Sequence, residues 1–139
     1  MNFMFRKSSS TSRITLLAAA ASIATILLAG CAPALKNPIA TFEVAGSETY
    51  KIELVTPELV KHAEALLKGE NIAAIPLGTI VYDSPDVNTP WSWHIDPATL
   101  EFAENTIEVC DGLPSHVEEH VVTSNEYCPW SAKVIAIEK

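Results

Sequence analysis

The clearest hydrophobic pattern opens near residue 39. Residues 41–45 alternate, with Phe42 and Val44 on one side, and residues 50–54 alternate again, with Tyr50, Ile52 and Leu54 on one side. Gly46-Ser47 between them is a turn signal, so period two predicts a β-hairpin with one wet face. A period near 3.6 follows in Leu59, Val60, Ala63, Leu66 and Leu67, with Lys61, Glu64 and Lys68 facing water. Thr56 is a good N-cap, Pro57 suits the first helical position, Glu58 favours the positive end and Gly69 is a natural C′ residue. His62 falls on the wet side of this predicted helix and is given no role.

Beyond the helix the signals shorten. Residues 78–82 read as a strand, and 83–90 as a polar loop with two prolines. Residues 91–95 read as a strand with Trp91, Trp93 and Ile95 on one face and Ser92 and His94 on the other. Asp96 caps the turn that Pro97 enters, and His94 is expected to make a structural hydrogen bond to an acid or a carbonyl. Residues 105–110 alternate again, Pro114 opens a short helix running to about Val122, and residues 133–137 form a last strand. The fold class expected is α+β: a small single domain, a mostly antiparallel sheet with one or two helices, and one disulfide.

The first thirty residues stand outside this domain. Arg6, Lys7 and Arg13 precede an uncharged apolar run over residues 14–28, as in a signal peptide. The run ends in Leu28-Ala29-Gly30-Cys31, which resembles a bacterial lipobox with Cys31 as the acylated residue; an ordinary secretory signal or an uncleaved anchor is the alternative. Ala32 after the cysteine resembles the sorting pattern for an outer membrane. The expected organisation is therefore a signal over 1–30, a tether over 31–38 and one domain over 39–139. It predicts an envelope lipoprotein held in the bilayer through Cys31, facing the periplasm or the cell surface.

Removing the signal changes the charge. Six lysines remain against seventeen acidic residues, a formal charge of −11. That excludes nucleic acid as a partner and makes a cationic partner or a divalent ion electrostatically easier. It also leaves Cys110 and Cys128 as the two remaining thiols. In an extracytoplasmic compartment they are expected to pair, closing a loop of about seventeen residues worth roughly 3 kcal/mol; a metal pair or two free thiols are the alternatives.

A family pattern runs through the second half. Pro76-Leu77-Gly78-Thr79-Ile80-Val81, Trp91-Ser92-Trp93-His94-Ile95-Asp96-Pro97, Phe102-Ala103-Glu104, Ile107-Glu108-Val109-Cys110-Asp111-Gly112 and Tyr127-Cys128-Pro129-Trp130-Ser131 occur in this order. Together they resemble a small secreted domain family related to the N-terminal domain of a seventy-four-kilodalton calmodulin-binding-related protein. The resemblance implies one compact domain with Cys110 and Cys128 paired. It carries no catalytic residues to transfer.

Candidate chemistry is sparse. His116-Val117-Glu118-Glu119-His120 matches H-x-x-E-H, which could aim two imidazoles at one zinc ion with Glu119 as base. Such a site needs a further carboxylate on a distant helix, and little chain follows His120. Asp96, Glu101, Glu104, Glu108 and Asp111 form an acid cluster, but the EF-hand loop pattern is missing. The same acids are a poor glycosidase pair in so small a domain. No G-x-S-x-G and no glycine-rich phosphate loop occur. Trp91, Trp93, His94, Asp96 and Trp130 are the candidate binding surface, although tryptophans are also what a small core needs. No cofactor is expected. A non-enzymatic binding module with an envelope or extracellular partner leads, and a metal-dependent enzyme or divalent-cation domain using His94, Asp96, His116 and His120 is the alternative.

Overall fold

The computed structural model describes residues 36–139. The signal, Cys31 and most of the tether lie outside the described residues. Seven strands and two helices follow in the order β1 (Ile39–Val44), β2 (Glu48–Glu53), α1 (Pro57–Leu67), β3 (Ile75–Val81), β4 (His94–Ile95), β5 (Glu101–Ala103), α2 (Pro114–Glu118), β6 (Glu126–Tyr127) and β7 (Lys133–Glu138). A 3₁₀ turn at Glu108–Cys110 precedes α2. The architecture is α+β, mostly antiparallel sheet with few helices and one disulfide, Cys110–Cys128, whose Cα atoms lie 5.1 Å apart.

The first sheet has the order β2-β1-β7, all antiparallel. The predicted hairpin is there, Phe42 opposite Tyr50 and Val44 opposite Glu48. Ala40, Phe42, Val44, Tyr50, Ile52 and Leu54 are buried, as alternation requires. Helix α1 lies beside β7 and buries Ala63 completely, with Leu59, Val60 and Leu66 partly covered. The Thr56 hydroxyl accepts the Leu59 N–H at 3.2 Å. Gly69, at φ +83°, closes the other end: its N–H reaches the Leu66 carbonyl and the Glu70 N–H the Ala65 carbonyl, a Schellman motif.

The second sheet is built around β3, which pairs in turn with β5, β6 and β4. Gly78, opposite Tyr127, marks a close approach: a Cβ there would collide with the Ile95 side chain. Between the sheets lies an aromatic cluster. Trp93 and Tyr127 meet edge-on at 5.5 Å, Tyr50 and Tyr127 likewise at 5.3 Å, and Phe42 stacks on Tyr50 at 5.3 Å.

Several local expectations are corrected. Only His94–Ile95 of the Trp91–Ile95 segment is a strand, because residues 88–92 form a turn in which the Trp91 N–H bonds back to the Asn88 carbonyl at 3.1 Å. Residues 105–110 do not form a strand: Ile107 and Val109 lie at the surface and the segment ends in the 3₁₀ turn. Strand β5, with Phe102 packed on the core, and the two-residue β6 were not foreseen. Helix α2 stops at Glu118 rather than near Val122. His120 takes a left-handed φ of +56°, its N–H bonds the Val117 carbonyl and the Val121 N–H bonds that of His116, so a second Schellman closure ends the helix one turn early.

Candidate functional site

Polar groups of the stretch WSWHIDP are engaged in holding the fold, although the buried Trp93 indole N–H has no hydrogen-bond partner. The Trp91 indole N–H donates to the Thr49 carbonyl at 2.8 Å, which ties the turn to β2. The Ser92 N–H donates to the Glu118 carboxylate at 3.0 Å, which ties it to α2. Trp93 is fully buried and belongs to no surface. Its carbonyl accepts from the Asn88 side-chain amide at 2.8 Å, while the Asn88 Oδ1 accepts the Lys51 N–H at 2.8 Å. His94 Nδ1 faces the Ser84 carbonyl, and a carbonyl only accepts, so that nitrogen carries the proton. Asp96 Oδ1 accepts the Ala98 N–H at 3.0 Å and caps the turn. His94 and Asp96 thus each make a hydrogen bond of the kind expected of them, to a carbonyl and to a turn N–H.

The H-x-x-E-H residues do not converge. His116 Nδ1 accepts the Leu113 N–H at 3.3 Å and serves the start of α2. His120 lies past the end of that helix, its ring packed at a tilt against Tyr82 with centroids 4.5 Å apart. Glu118 is occupied with Ser92. The i, i+4 geometry that would point two imidazoles at one ion depends on a helix that has already ended. Among the described residues no group of three or more His, Cys, Asp or Glu side chains is placed to hold a metal ion.

His62 is not a solvent-facing bystander. Its ring stacks on Phe102 at 4.4 Å and its Nε2–H donates to the Ala73 carbonyl at 2.6 Å. The helix period placed it on the wet side of α1; Phe102 of β5 and the segment after α1 cover it instead. A shallow groove of about 350 Å³ runs past it, between the start of α1 and the β4–β5 turn.

Of the large apolar side chains that stand exposed, three belong to the segments joined by the disulfide; the others are Leu67, Ile72, Val121 and Ile135. Trp130 is 49% exposed, Ile107 66% and Val109 55%. The two segments that carry them are tied by specific bonds. The Trp130 indole N–H donates to the Thr106 hydroxyl at 2.7 Å, and its backbone N–H donates to the Asp111 carboxylate at 2.9 Å. The Cys128 N–H donates to the Cys110 carbonyl at 2.8 Å, and the Ile107 carbonyl oxygen packs 3.2 Å from the Cys110 sulfur. Residues 106–111 therefore run alongside the Tyr127–Trp130 segment, with the disulfide beneath both.

The family model of the BP-74 N-terminal domain matches residues 37–139. The chain belongs to this family. No curated protein and no solved structure matches it. The match takes in every described strand and helix, from β1 through β7, and so includes the Trp91–Pro97 turn and the surface around Trp130. Ile107 and Val109 as surface residues escaped the sequence reading, because their alternation mimics a half-buried strand. Asn88, hidden in a polar loop, carried no signal of its burial at all.

Proposed function

We propose that this member of the family is a lipid-anchored envelope protein acting as a non-enzymatic binding module, with the Trp130–Ile107–Val109 surface as its contact face. The observation that carries the reading is that three large apolar side chains stand in solvent on a frame fixed by a disulfide and two tryptophan hydrogen bonds. A preformed frame holding an exposed aromatic anchor lowers the ordering cost of association. The surface also lies at the end of β1 opposite the one that follows the tether. β1 starts at Ile39, and past its other end the Ala45 N–H donates to the Ser131 hydroxyl at 3.0 Å, next to Trp130. Six residues of strand separate the two ends, about 20 Å.

The anchor is tested by Cys31→Ala, which abolishes acyl labelling and membrane retention; unchanged fractionation removes the lipoprotein reading. The contact face is tested in the full-length protein by photocrosslinking from position 109 in intact envelopes. Trp130→Ala lowers recovery of the crosslinked species while circular dichroism and melting stay unchanged. Equal recovery from folded Trp130→Ala removes this face as the binding surface.

A further inference from the structure

Charge is segregated along this chain. Between Gly69 and Ala132 there is no lysine or arginine, and every residue there that carries a full charge is an acid. This stretch builds the whole second sheet, the 3₁₀ turn and α2. The lysines among the described residues sit elsewhere, on or beside the first sheet and α1. The ion pairs among the described residues, Lys51–Glu138 and Lys139–Glu64, are also found there. Glu108 is placed between Ile107 and Val109, Glu104 precedes Thr106, and Asp111 touches Trp130. Lys133, the nearest lysine along the chain, lies opposite Glu43 in the first sheet.

We infer that the Trp130 face binds a basic protein segment that carries apolar side chains, the apolar groups meeting Trp130, Ile107 and Val109 and the cations meeting Glu104 and Glu108. The inference rests on the binding-module reading and adds the chemistry of its partner. Acids without local countercharge raise the encounter rate of a cationic segment and repel an acidic one, while the buried apolar contact holds the complex. Neither half suffices alone: the apolar face gives no choice between partners, and solvent-exposed charge is weakened by salt.

The test uses the full-length acylated protein in phosphatidylcholine discs, whose neutral lipid does not compete for cations. The probes are labelled Lys-Leu, Ser-Leu and Glu-Leu repeat peptides of equal length, read by fluorescence anisotropy. The expected order is Lys-Leu above Ser-Leu, with Glu-Leu unbound. Affinity for Lys-Leu falls roughly tenfold in Trp130→Ala, the effect of losing one aromatic anchor. It also falls in Glu104→Gln/Glu108→Gln, and with added salt. Equal binding of Ser-Leu and Lys-Leu, both weakened by Trp130→Ala, overturns the charge inference and leaves the contact face standing. Lys-Leu binding that ignores both Trp130→Ala and Val109→Ser overturns both readings, because the peptide then coats acidic surface at large. Displacement of the probe by calcium ions that themselves bind Glu104 and Glu108 assigns those acids to a divalent cation and overturns the inference.

Discussion

Asn88 is the residue whose removal should be felt most widely. It is fully buried in a segment that is otherwise loop. Its Oδ1 accepts the Lys51 N–H of β2 and its Nδ2 donates to the Trp93 carbonyl, both at 2.8 Å, so one side chain joins the first sheet to the start of β4. Asn88→Ala leaves a backbone donor and a backbone acceptor unpaired at a site too enclosed for easy rescue. Each such group costs about 1–3 kcal/mol, so the variant should lose roughly 3–4 kcal/mol. Against a total of about 5–15 kcal/mol for a domain of this kind, that is a large fraction. Asn88→Asp keeps the acceptor but loses the donor and buries a charge, so it should be no more stable than the alanine variant. The assay is urea unfolding of the disulfide-intact protein. With a slope near about 1.5 kcal/mol per molar, the midpoint falls by about 2 M at unchanged slope. An Asn88→Ala midpoint within about 0.5 M of the parent, or an Asn88→Asp variant as stable as the parent, refutes the argument that this side chain joins the sheets.

Other outcomes follow from the same core. The Tyr50 hydroxyl is buried without a hydrogen-bond partner, so Tyr50→Phe should leave stability unchanged or raise it by about 1 kcal/mol, and a clear loss in thermal melting would mean the hydroxyl is bonded. Burial, and then the neighbouring Tyr127, raises the Tyr50 pKa well above its ordinary value; burial, and then the charges of Asp111 and Glu48, raises that of Tyr127. The folded state thus favours neutral phenols, so this stabilisation is complete below about pH 10 and is lost as pH rises further. Tyrosinate absorbance from these two rings should appear together with loss of far-ultraviolet dichroism, and their ionisation in an intact fold would contradict the burial argument. Replacing both Cys110 and Cys128 by serine frees a loop with a sequence separation of 18 and should cost about 3 kcal/mol in urea unfolding; a midpoint equal to that of the parent would show that the bridge contributes nothing.

Much of the first sheet and α1 was legible because the forces that form them are local. Alternation in residues 41–45 and 50–54 selects one buried face whatever the partner. Thr56, Pro57 and Gly69 cap α1 through bonds to residues three to five positions away. The half beyond residue 83 was read less well for the same reason. Its strands before β7 are two or three residues long, too short to show a period, and exist only because β3 offers them a ladder. Alternation in Ile107 and Val109 looked like a strand, but nothing among the described residues pairs with it, and so the apolar groups stay in solvent.

By itself, then, the sequence determined the cysteine count, the acidity and its segregation into one half, the hairpin and the capped helix. These depend on composition or on neighbours within one turn or one pair of strands. Only the tertiary structure decided which polar residue is buried, which histidines are pinned and which tryptophan reaches solvent. Asn88 meets Lys51 and Trp91 meets Thr49 across long stretches of chain, and Trp130 meets Thr106 only because the disulfide brings the two segments together. Side-chain hydrogen bonds of that range carry no period, because each one is set by where two distant elements happen to pack.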